Sequence, residues 1–177
     1  MTPLAVAAIG AVSGSVAALA LLPFVYASRA LFPGPRHDRP RNPLAPGPIL
    51  TEGRAIVPDL LAVTAVFVQK VATGLFATSL PPGRQRTLGV LWHFLYGAAW
   101  GGIFGLIVAS VDWPIPAWLV GGAFGLLVWA LGPAWAVPRM QLMLPLGRQT
   151  TLVSALVVGW HLLYGLVLSA SFEWLAG

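Results

Sequence analysis

Two histidines in apolar surroundings are the residues of this sequence best suited to chemistry. His93 and His161 each begin the pattern His-x-x-Tyr-Gly, which places Tyr96 and Tyr164 about one helical turn further along. An ionisable side chain within a membrane segment is costly, so it marks a functional site by default. Three interpretations are open: a structural hydrogen bond between helices, axial ligation of haem or a chlorophyll-type pigment by neutral imidazole, and a path for protons or a substrate.

No other combination of residues indicates catalysis. The sequence has no cysteine, no histidine and glutamate cluster with metal-ligand spacing, and no glycine-rich phosphate loop. We therefore predict a protein that is not an enzyme and has no metal site built from protein ligands. The cofactor itself stays unknown, and a haem or pigment would use His93 and His161 together with Tyr96 and Tyr164.

The composition indicates a membrane protein. Of 177 residues, 58% are hydrophobic and 8% are charged, and the mean hydropathy is +0.83. A typical soluble domain has about 25% charged residues. This balance excludes a disordered chain and an ordinary soluble enzyme, and the lack of cysteine excludes a disulfide scaffold. An integral membrane protein with a single domain, 1–177, remains.

Four segments are long and apolar enough to cross a bilayer as helices. They are residues 3–28, 88–110, 117–137 and 151–175. Between the first two lie a proline-rich loop, 29–55, and the segment 56–80, which carries Asp59, Gln69 and Lys70 towards one side of a helix. That pattern is typical of an amphipathic helix in the membrane interface. The predicted fold is all-α: a four-transmembrane-helix bundle with one cytoplasmic interfacial helix.

The distribution of charge predicts the orientation. If 56–80 does not cross the bilayer, all ten lysines and arginines fall on one side of the membrane. Basic loops stay in the cytoplasm, so we expect both termini on the non-cytoplasmic side. Topology then explains the net charge of +5 without a nucleic-acid partner. The partners expected on this basis are the lipid bilayer and, at the cytoplasmic face, anionic lipid.

The chain contains an internal repeat. Residues 83–88 (GRQRTL) match 147–152 (GRQTTL), and residues 92–97 (WHFLYG) match 160–165 (WHLLYG). The matches lead into, or lie within, the second and fourth spans. Both spans run outward from the cytoplasm, so this repeat of helices 2 and 4 is parallel, as in duplicated transporter halves.

Small residues recur at four-residue steps within the spans and let neighbouring backbones approach closely. We expect them to serve helix packing within the bundle, with docking of a partner subunit as the alternative. The glycines concerned are Gly89, Gly97, Gly101 and Gly105 in the second span, Gly121 and Gly125 in the third, and Gly165 in the fourth.

The order of these features resembles a known group. A glycine- and alanine-rich first span, a proline-rich basic stretch, a helix ending in Leu80-Pro81-Pro82 and two His-x-x-Tyr-Gly patterns look like the YagU-like family of uncharacterised bacterial inner-membrane proteins. The resemblance implies a multi-pass protein of the bacterial inner membrane. It implies no activity, and it supports the two histidines and the two tyrosines as candidates without assigning them a role.

Short predicted loops leave little surface outside the bilayer. We therefore expect a non-catalytic accessory or structural subunit that packs against partner helices, lipids or pigments in a larger membrane complex. The alternatives are a small transporter or channel with His93 and His161 on its pathway, and a membrane protein that binds haem or a pigment.

Overall fold

The computed structural model describes residues 1–31, 60–111 and 114–177. This part of the chain forms five long helices: α1 (Pro3–Leu31), α2 (Leu60–Phe76), α3 (Pro82–Ser110), α4 (Ala117–Arg139) and α5 (Thr151–Ala176). Most of the predicted proline-rich loop, 29–55, and the start of the predicted interfacial helix, 56–80, lie outside the described residues.

Four of these helices, α1, α3, α4 and α5, are long and apolar enough to span a membrane. The prediction of an all-helical bundle with four spans is therefore confirmed, and the chain is a multi-pass membrane protein. α3 begins at Pro82, earlier than the predicted residue 88. Proline in the first turn of a helix loses no hydrogen bond and has the backbone angle that the helix needs.

α1 and α3 form a tight antiparallel pair. A β-carbon on Gly101 would lie 2.1 Å from the carbonyl oxygen of Gly10, and a β-carbon on Gly14 would lie 2.1 Å from that of Gly97. Backbones approach this closely only where the crossing residues have no side chains. Gly105 extends the contact along the same face of α3 towards the start of α1.

α4 and α5 form a second antiparallel pair, built in the same way. A β-carbon on Gly165 would lie 2.0 Å from the carbonyl oxygen of Gly121, and one on Gly125 would lie 2.1 Å from that of His161. The two pairs meet mainly where α1 packs on α5. The Tyr164 hydroxyl of α5 also donates a hydrogen bond to the Gly97 carbonyl oxygen of α3 at 2.8 Å. The result is a four-helix bundle in which α3 and α5 run parallel.

The predicted packing glycines all lie where two helices of this chain touch. A β-carbon on any of them would come within 3.0 Å of a neighbouring helix. They are Gly97, Gly101 and Gly105 facing α1, Gly121 and Gly125 facing α5, Gly165 facing α4, and Gly89 facing α2. These glycines are therefore engaged inside the bundle rather than available to another subunit.

Aromatic side chains fill the half of the bundle that holds both chain termini. The Phe104 ring makes edge contacts with Phe124 and Phe172, at centroid distances of 5.2 Å and 5.8 Å. Phe104 and Leu168 are almost completely buried there. A transport pathway through this half would require the three rings to move apart.

α2 lies beside the first half of α3 and runs antiparallel to it. Ala65 packs on Gly89, and the Phe67 ring stacks on Trp92 with centroids 4.7 Å apart. Leu60, at the start of α2, reaches into the interior of the bundle. α2 is thus aligned with α3 over several turns, and its 17 residues make it shorter than the four spans.

The polarity of α2 changes along the helix axis. Residues 60–68 carry no charge, and Gln69 and Lys70 follow them. Gln69 Oε1 accepts a hydrogen bond from the backbone N–H of Leu80 at 3.0 Å, and Lys70 Nζ donates to the Met140 carbonyl oxygen at 2.6 Å. The polar side chains are satisfied beside the loops, so the apolar first half is free to pack in the bundle.

The basic residues that the structure describes collect at one end of the bundle. Arg84 and Arg86 lie in the first turns of α3, Arg139 ends α4, and Arg148 precedes α5. Glu173 lies at the opposite end, in the last turn of α5. The described part of the chain thus has the charge polarity expected from the sequence, and most of the remaining basic residues lie outside it.

α4 changes its winding in its second half. Residues Ala130–Ala136 form a π-helical segment that contains Gly132 and Pro133. Proline has no backbone N–H and clashes with the preceding turn, so a wider turn relieves the helix at this point. Segments of this kind are frequent at functional sites.

Candidate ligand cavity between the two histidines

A cavity of about 200 Å³ lies between α2, α3, α4 and α5. Both histidines border it, His93 from α3 and His161 from α5. A smaller hollow of about 70 Å³, which reaches towards α1, shares the two histidines and Tyr96 and also touches Tyr164. The repeat therefore brings its two His-x-x-Tyr-Gly patterns together inside the bundle.

The His93 ring is held from across the first helix pair. Its Nε2 atom lies 3.1 Å from the carbonyl oxygen of Ala18 in α1. A carbonyl oxygen only accepts, so Nε2 carries the hydrogen, and the neutral ring keeps a lone pair on Nδ1. The neutral form is favoured because the described cavity lining contains no carboxylate to balance an imidazolium.

His161 is held differently, by its own helix. Its Nδ1 atom lies 2.8 Å from the carbonyl oxygen of Val157, one turn earlier in α5. The same reasoning places the hydrogen on Nδ1 and the lone pair on Nε2. The two equivalent histidines of the repeat therefore take opposite tautomers.

Each ring has one nitrogen without a hydrogen bond in the described chain. These atoms, Nδ1 of His93 and Nε2 of His161, are not fully enclosed by their neighbours. Both rings border the same space. Two rings that can each accept a hydrogen bond therefore lie at one largely apolar cavity.

The two tyrosines occupy different places. Tyr96 borders the cavity, and its hydroxyl oxygen would lie 2.7 Å from a β-carbon on Gly132, so a side chain at Gly132 would displace the Tyr96 hydroxyl. Tyr164 borders the smaller hollow and donates its hydrogen bond to Gly97. Of the four candidates, His93, Tyr96 and His161 surround the main cavity, and Tyr164 braces the helices beside it.

Aromatic and thioether side chains form much of the remaining wall. The stacked rings of Phe67 and Trp92 come from α2 and α3, and the buried Trp160 comes from α5. Met140 and Met143 follow on the side of the linker between α4 and α5. The described lining contains no lysine, arginine, aspartate or glutamate. Such a cavity suits an uncharged, largely apolar molecule.

The volume of the cavity limits its contents. An engineered protein cavity of about 150 Å³ binds benzene, so this one, at about 200 Å³, holds one ring with small substituents. A tetrapyrrole is several times larger than benzene, so it would have to extend beyond this space through its open side. The size of the cavity therefore gives the haem and pigment hypothesis no support.

The repeat extends further than the two matches predicted from the sequence. A Leu-Pro pair precedes both GRQ segments, at positions 80 and 144. In the first copy the side-chain amide of Gln85 donates to the Leu80 carbonyl oxygen, and in the second Gln149 donates to Leu144 in the same way. Both glutamine oxygens are buried and have no partner in the described chain. The Leu-Pro pair before each GRQ segment is the sequence feature that indicates this extension of the repeat.

The structural equivalence extends further upstream, where the sequences differ. Ala77, just after α2, and Gln141, just after α4, have φ values of 50° and 55°. Residues other than glycine rarely adopt positive φ. The two linkers therefore turn in the same way, although the residues at the turn, Ala77 and Gln141, share no chemical feature that would have revealed it.

Comparison of this chain with protein-family models, curated proteins and solved structures gave no match. The cavity is therefore interpreted from its own geometry.

Proposed function

We propose that this chain is a non-catalytic membrane protein that binds a small, uncharged and largely apolar molecule in the cavity between α2, α3, α4 and α5. The observation that carries the proposal is the convergence of His93 and His161, equivalent residues of the repeat, on one cavity of about 200 Å³. Buried polar groups normally find partners within the protein. Each ring here instead has one nitrogen that makes no hydrogen bond within the described chain.

The cavity lining supports binding without catalysis. Its described polar groups are the two imidazoles, the Tyr96 and Thr64 hydroxyls and the indole N–H groups of Trp92 and Trp160. Thr64 already donates to the Leu61 carbonyl oxygen. Covalent catalysis needs a nucleophile activated by a base, and stabilisation of developing charge needs fixed dipoles or charges aimed at it. The described lining offers neither arrangement.

Ring-sized probes test the proposal with the full chain in detergent. Toluene or phenol is added to the purified protein, and the midpoint of thermal unfolding is measured, because a ligand of the folded state raises it. We expect an increase for the wild type and none for Ala136→Phe, which fills the cavity from α4. Ala123→Phe is the matched control, because Ala123 lies on an exposed side of the same helix.

The outcome separates a cavity site from partition into the detergent. A wild type that responds to neither probe contradicts the proposal, and so does an Ala136→Phe protein that responds like the wild type. If Ala136→Phe does not fold, Val157→Phe fills the same space from α5.

An accessory subunit in a larger membrane complex is the second candidate. Gly122 in α4 and Gly159 in α5 have no described atom within 4 Å of an added β-carbon, so another helix has room to approach there. Purification in mild detergent tests this role. A co-purifying chain that is lost in Gly122→Leu or Gly159→Leu supports it, and migration of the wild type alone as a monomer contradicts it.

For the orientation, we propose that the end with Arg84 and Arg148 faces the cytoplasm and its anionic lipid, and that both termini face away. The resemblance to the YagU-like family supports a bacterial inner membrane. Because the chain has no cysteine, the single variants Thr2→Cys and Gly147→Cys show on which side of the membrane each position lies. A membrane-impermeant maleimide should label Thr2→Cys in intact cells and spare Gly147→Cys, and the reverse pattern contradicts the orientation.

A further inference from the structure

We propose that the cavity takes a hydroxylated aromatic ring, a phenol or hydroquinone, in which each hydroxyl group donates its hydrogen to the free nitrogen of one histidine, His93 or His161. The class of ligand rests on the proposed function and makes it specific. Three properties of the cavity lead to it: the hydrogen-bonding polarity of the imidazoles, the lack of charge on the described walls, and the size and aromatic character of the space.

Both imidazoles accept hydrogen bonds from the cavity. Their N–H groups are used by the carbonyl oxygens of Ala18 and Val157. A neutral ring then presents a lone pair, and no hydrogen, at its other nitrogen. A ligand with a hydroxyl hydrogen satisfies that lone pair. A ketone, quinone or ether only accepts, so it would leave the nitrogen unpaired and place a second acceptor beside it.

The described walls exclude ionic ligands. No charged side chain borders the cavity among the described residues, and Lys70, on the neighbouring turn of α2, donates to the Met140 carbonyl oxygen. Burial of an unpaired charge costs far more than burial of a neutral polar group with a partner. A phenolic hydroxyl is uncharged near neutral pH, so it fits these walls where a carboxylate, phosphate or amine does not.

Size and shape select a single flat ring. A volume of about 200 Å³ exceeds the cavity of about 150 Å³ that holds benzene, so it has room for the ring and one or two hydroxyl groups. The stacked pair of Phe67 and Trp92 and the indole of Trp160 offer aromatic surfaces. Aromatic rings pack on one another with a preference beyond their buried area, so an aromatic alcohol is favoured over an aliphatic one.

Matched probe pairs test the class of ligand on the full chain in detergent. Phenol and toluene have nearly the same shape and differ in the donor, and hydroquinone and p-xylene form a second pair. Affinities are taken from the shift of the thermal midpoint over a series of concentrations, with Ala136→Phe as the blank. We expect each hydroxylated probe to bind about tenfold more tightly than its hydrocarbon partner, the effect of one hydrogen bond to a buried acceptor.

The results distinguish this class of ligand from the proposed function. Equal affinity for phenol and toluene overturns the class of ligand and leaves the binding function standing. Failure of every probe to bind overturns both. Tighter binding of p-benzoquinone than of hydroquinone also overturns the class of ligand, because a quinone has no hydrogen to donate.

Replacement of each histidine locates the acceptors. In the variant with both His93→Phe and His161→Phe the affinity for phenol should fall to that for toluene, because both acceptors are lost, and the affinity for toluene should stay within about threefold of the wild type. Of the single variants, the one that loses the preference identifies the histidine that accepts the phenol hydrogen. A double variant that retains the tenfold preference contradicts the role of both rings.

Nitrogen-15 NMR of the imidazoles makes the test independent of whether these variants fold. In a His37→Gln background we expect one ring with its hydrogen on Nε2 and one with its hydrogen on Nδ1, as the contacts to Ala18 and Val157 require. Phenol should move the resonances of the unprotonated nitrogens, and toluene should not. Two rings in the same tautomer, or no response to phenol, contradict the proposal.

Discussion

The two helix pairs of the bundle carry the same repeat but differ in the helices that come before it. In the second pair one continuous helix, α4, packs on α5 through glycines and also leads into the repeated linker. In the first pair these two tasks fall to different helices, since α1 packs on α3 through glycines and α2 leads into the linker. The glycine contact and the start of the linker can therefore come from one helix or from two, and the histidines still converge.

The histidines show how the surroundings change an identical motif. The His93 ring reaches across to the carbonyl oxygen of Ala18 in α1. At the equivalent place in the second pair, α4 presses Gly125 against the backbone of His161, and the His161 ring bonds to Val157 in its own helix. Two copies of one motif thus differ in tautomer because the facing helix approaches at a different point.

The largest expected effect compares the two glycine contacts. Gly101→Leu in the first pair and Gly125→Leu in the second would each place a β-carbon 2.1 Å from a carbonyl oxygen. Each should lower the free energy of unfolding by about 3 kcal/mol, or prevent folding. Titration with SDS measures it, and Gly122→Leu is the control with open space around it. A loss of stability in only one of these two variants would show that the two helix pairs are not equivalent.

A smaller difference is expected between the two histidines. His93→Phe removes a hydrogen bond between helices, whereas His161→Phe removes one within a helix. His93→Phe should therefore cost about 1 kcal/mol more stability than His161→Phe, in the range measured for hydrogen bonds between membrane helices. The same SDS titration measures both, and a larger loss in His161→Phe would reverse the interpretation of the contacts.

The linker turns should respond alike to glycine. Ala77 and Gln141 both have positive φ, which costs an L-residue roughly 1–2 kcal/mol. Glycine removes this strain but adds freedom to the unfolded chain, worth about 0.4–1 kcal/mol. Ala77→Gly and Gln141→Gly should thus each raise stability by about 0.5 kcal/mol. Ala155→Gly, on an exposed face of α5, should instead lower it by about 1 kcal/mol.

The smallest effect is expected at the two glutamines. Gln85→Leu and Gln149→Leu each remove one hydrogen bond to a leucine carbonyl oxygen and one buried oxygen without a partner. These contributions oppose one another, so the net change in stability is small in each variant. The free energies of unfolding of the two variants should therefore differ by less than about 0.5 kcal/mol. A clear difference in their unfolding midpoints would show that the two linkers are alike in shape and unlike in energy.

The membrane spans could be predicted because hydropathy depends on local composition alone. Residues 3–28 and 151–175 were recognised almost to their ends, since long apolar runs have few alternatives. The packing of α2 along α3 could not be predicted, because it depends on contacts such as Ala65 on Gly89 that hydropathy does not specify. Gln69 and Lys70 find their hydrogen-bond partners in the loops beside the end of α2.

The candidate site was predictable in its residues and not in its geometry. The repeat drew attention to His93 and His161, but their meeting at one cavity depends on how closely the glycine faces approach, and the sequence does not specify that distance. Gly132 and Pro133 carried a signal that was overlooked. A Gly-Pro pair inside an apolar span indicates irregular winding, and the π-helical segment lies there.

The π-helical segment Ala130–Ala136 also changes the direction in which the following residues of α4 face. One additional residue in a helix turns everything after it by about 100°. The α-helical first half of α4 therefore sets the direction of the glycines that face α5, and the π-helical segment sets the direction of Gly132 towards Tyr96. The contact between α4 and α5 can therefore change in evolution independently of the part of α4 that lines the cavity.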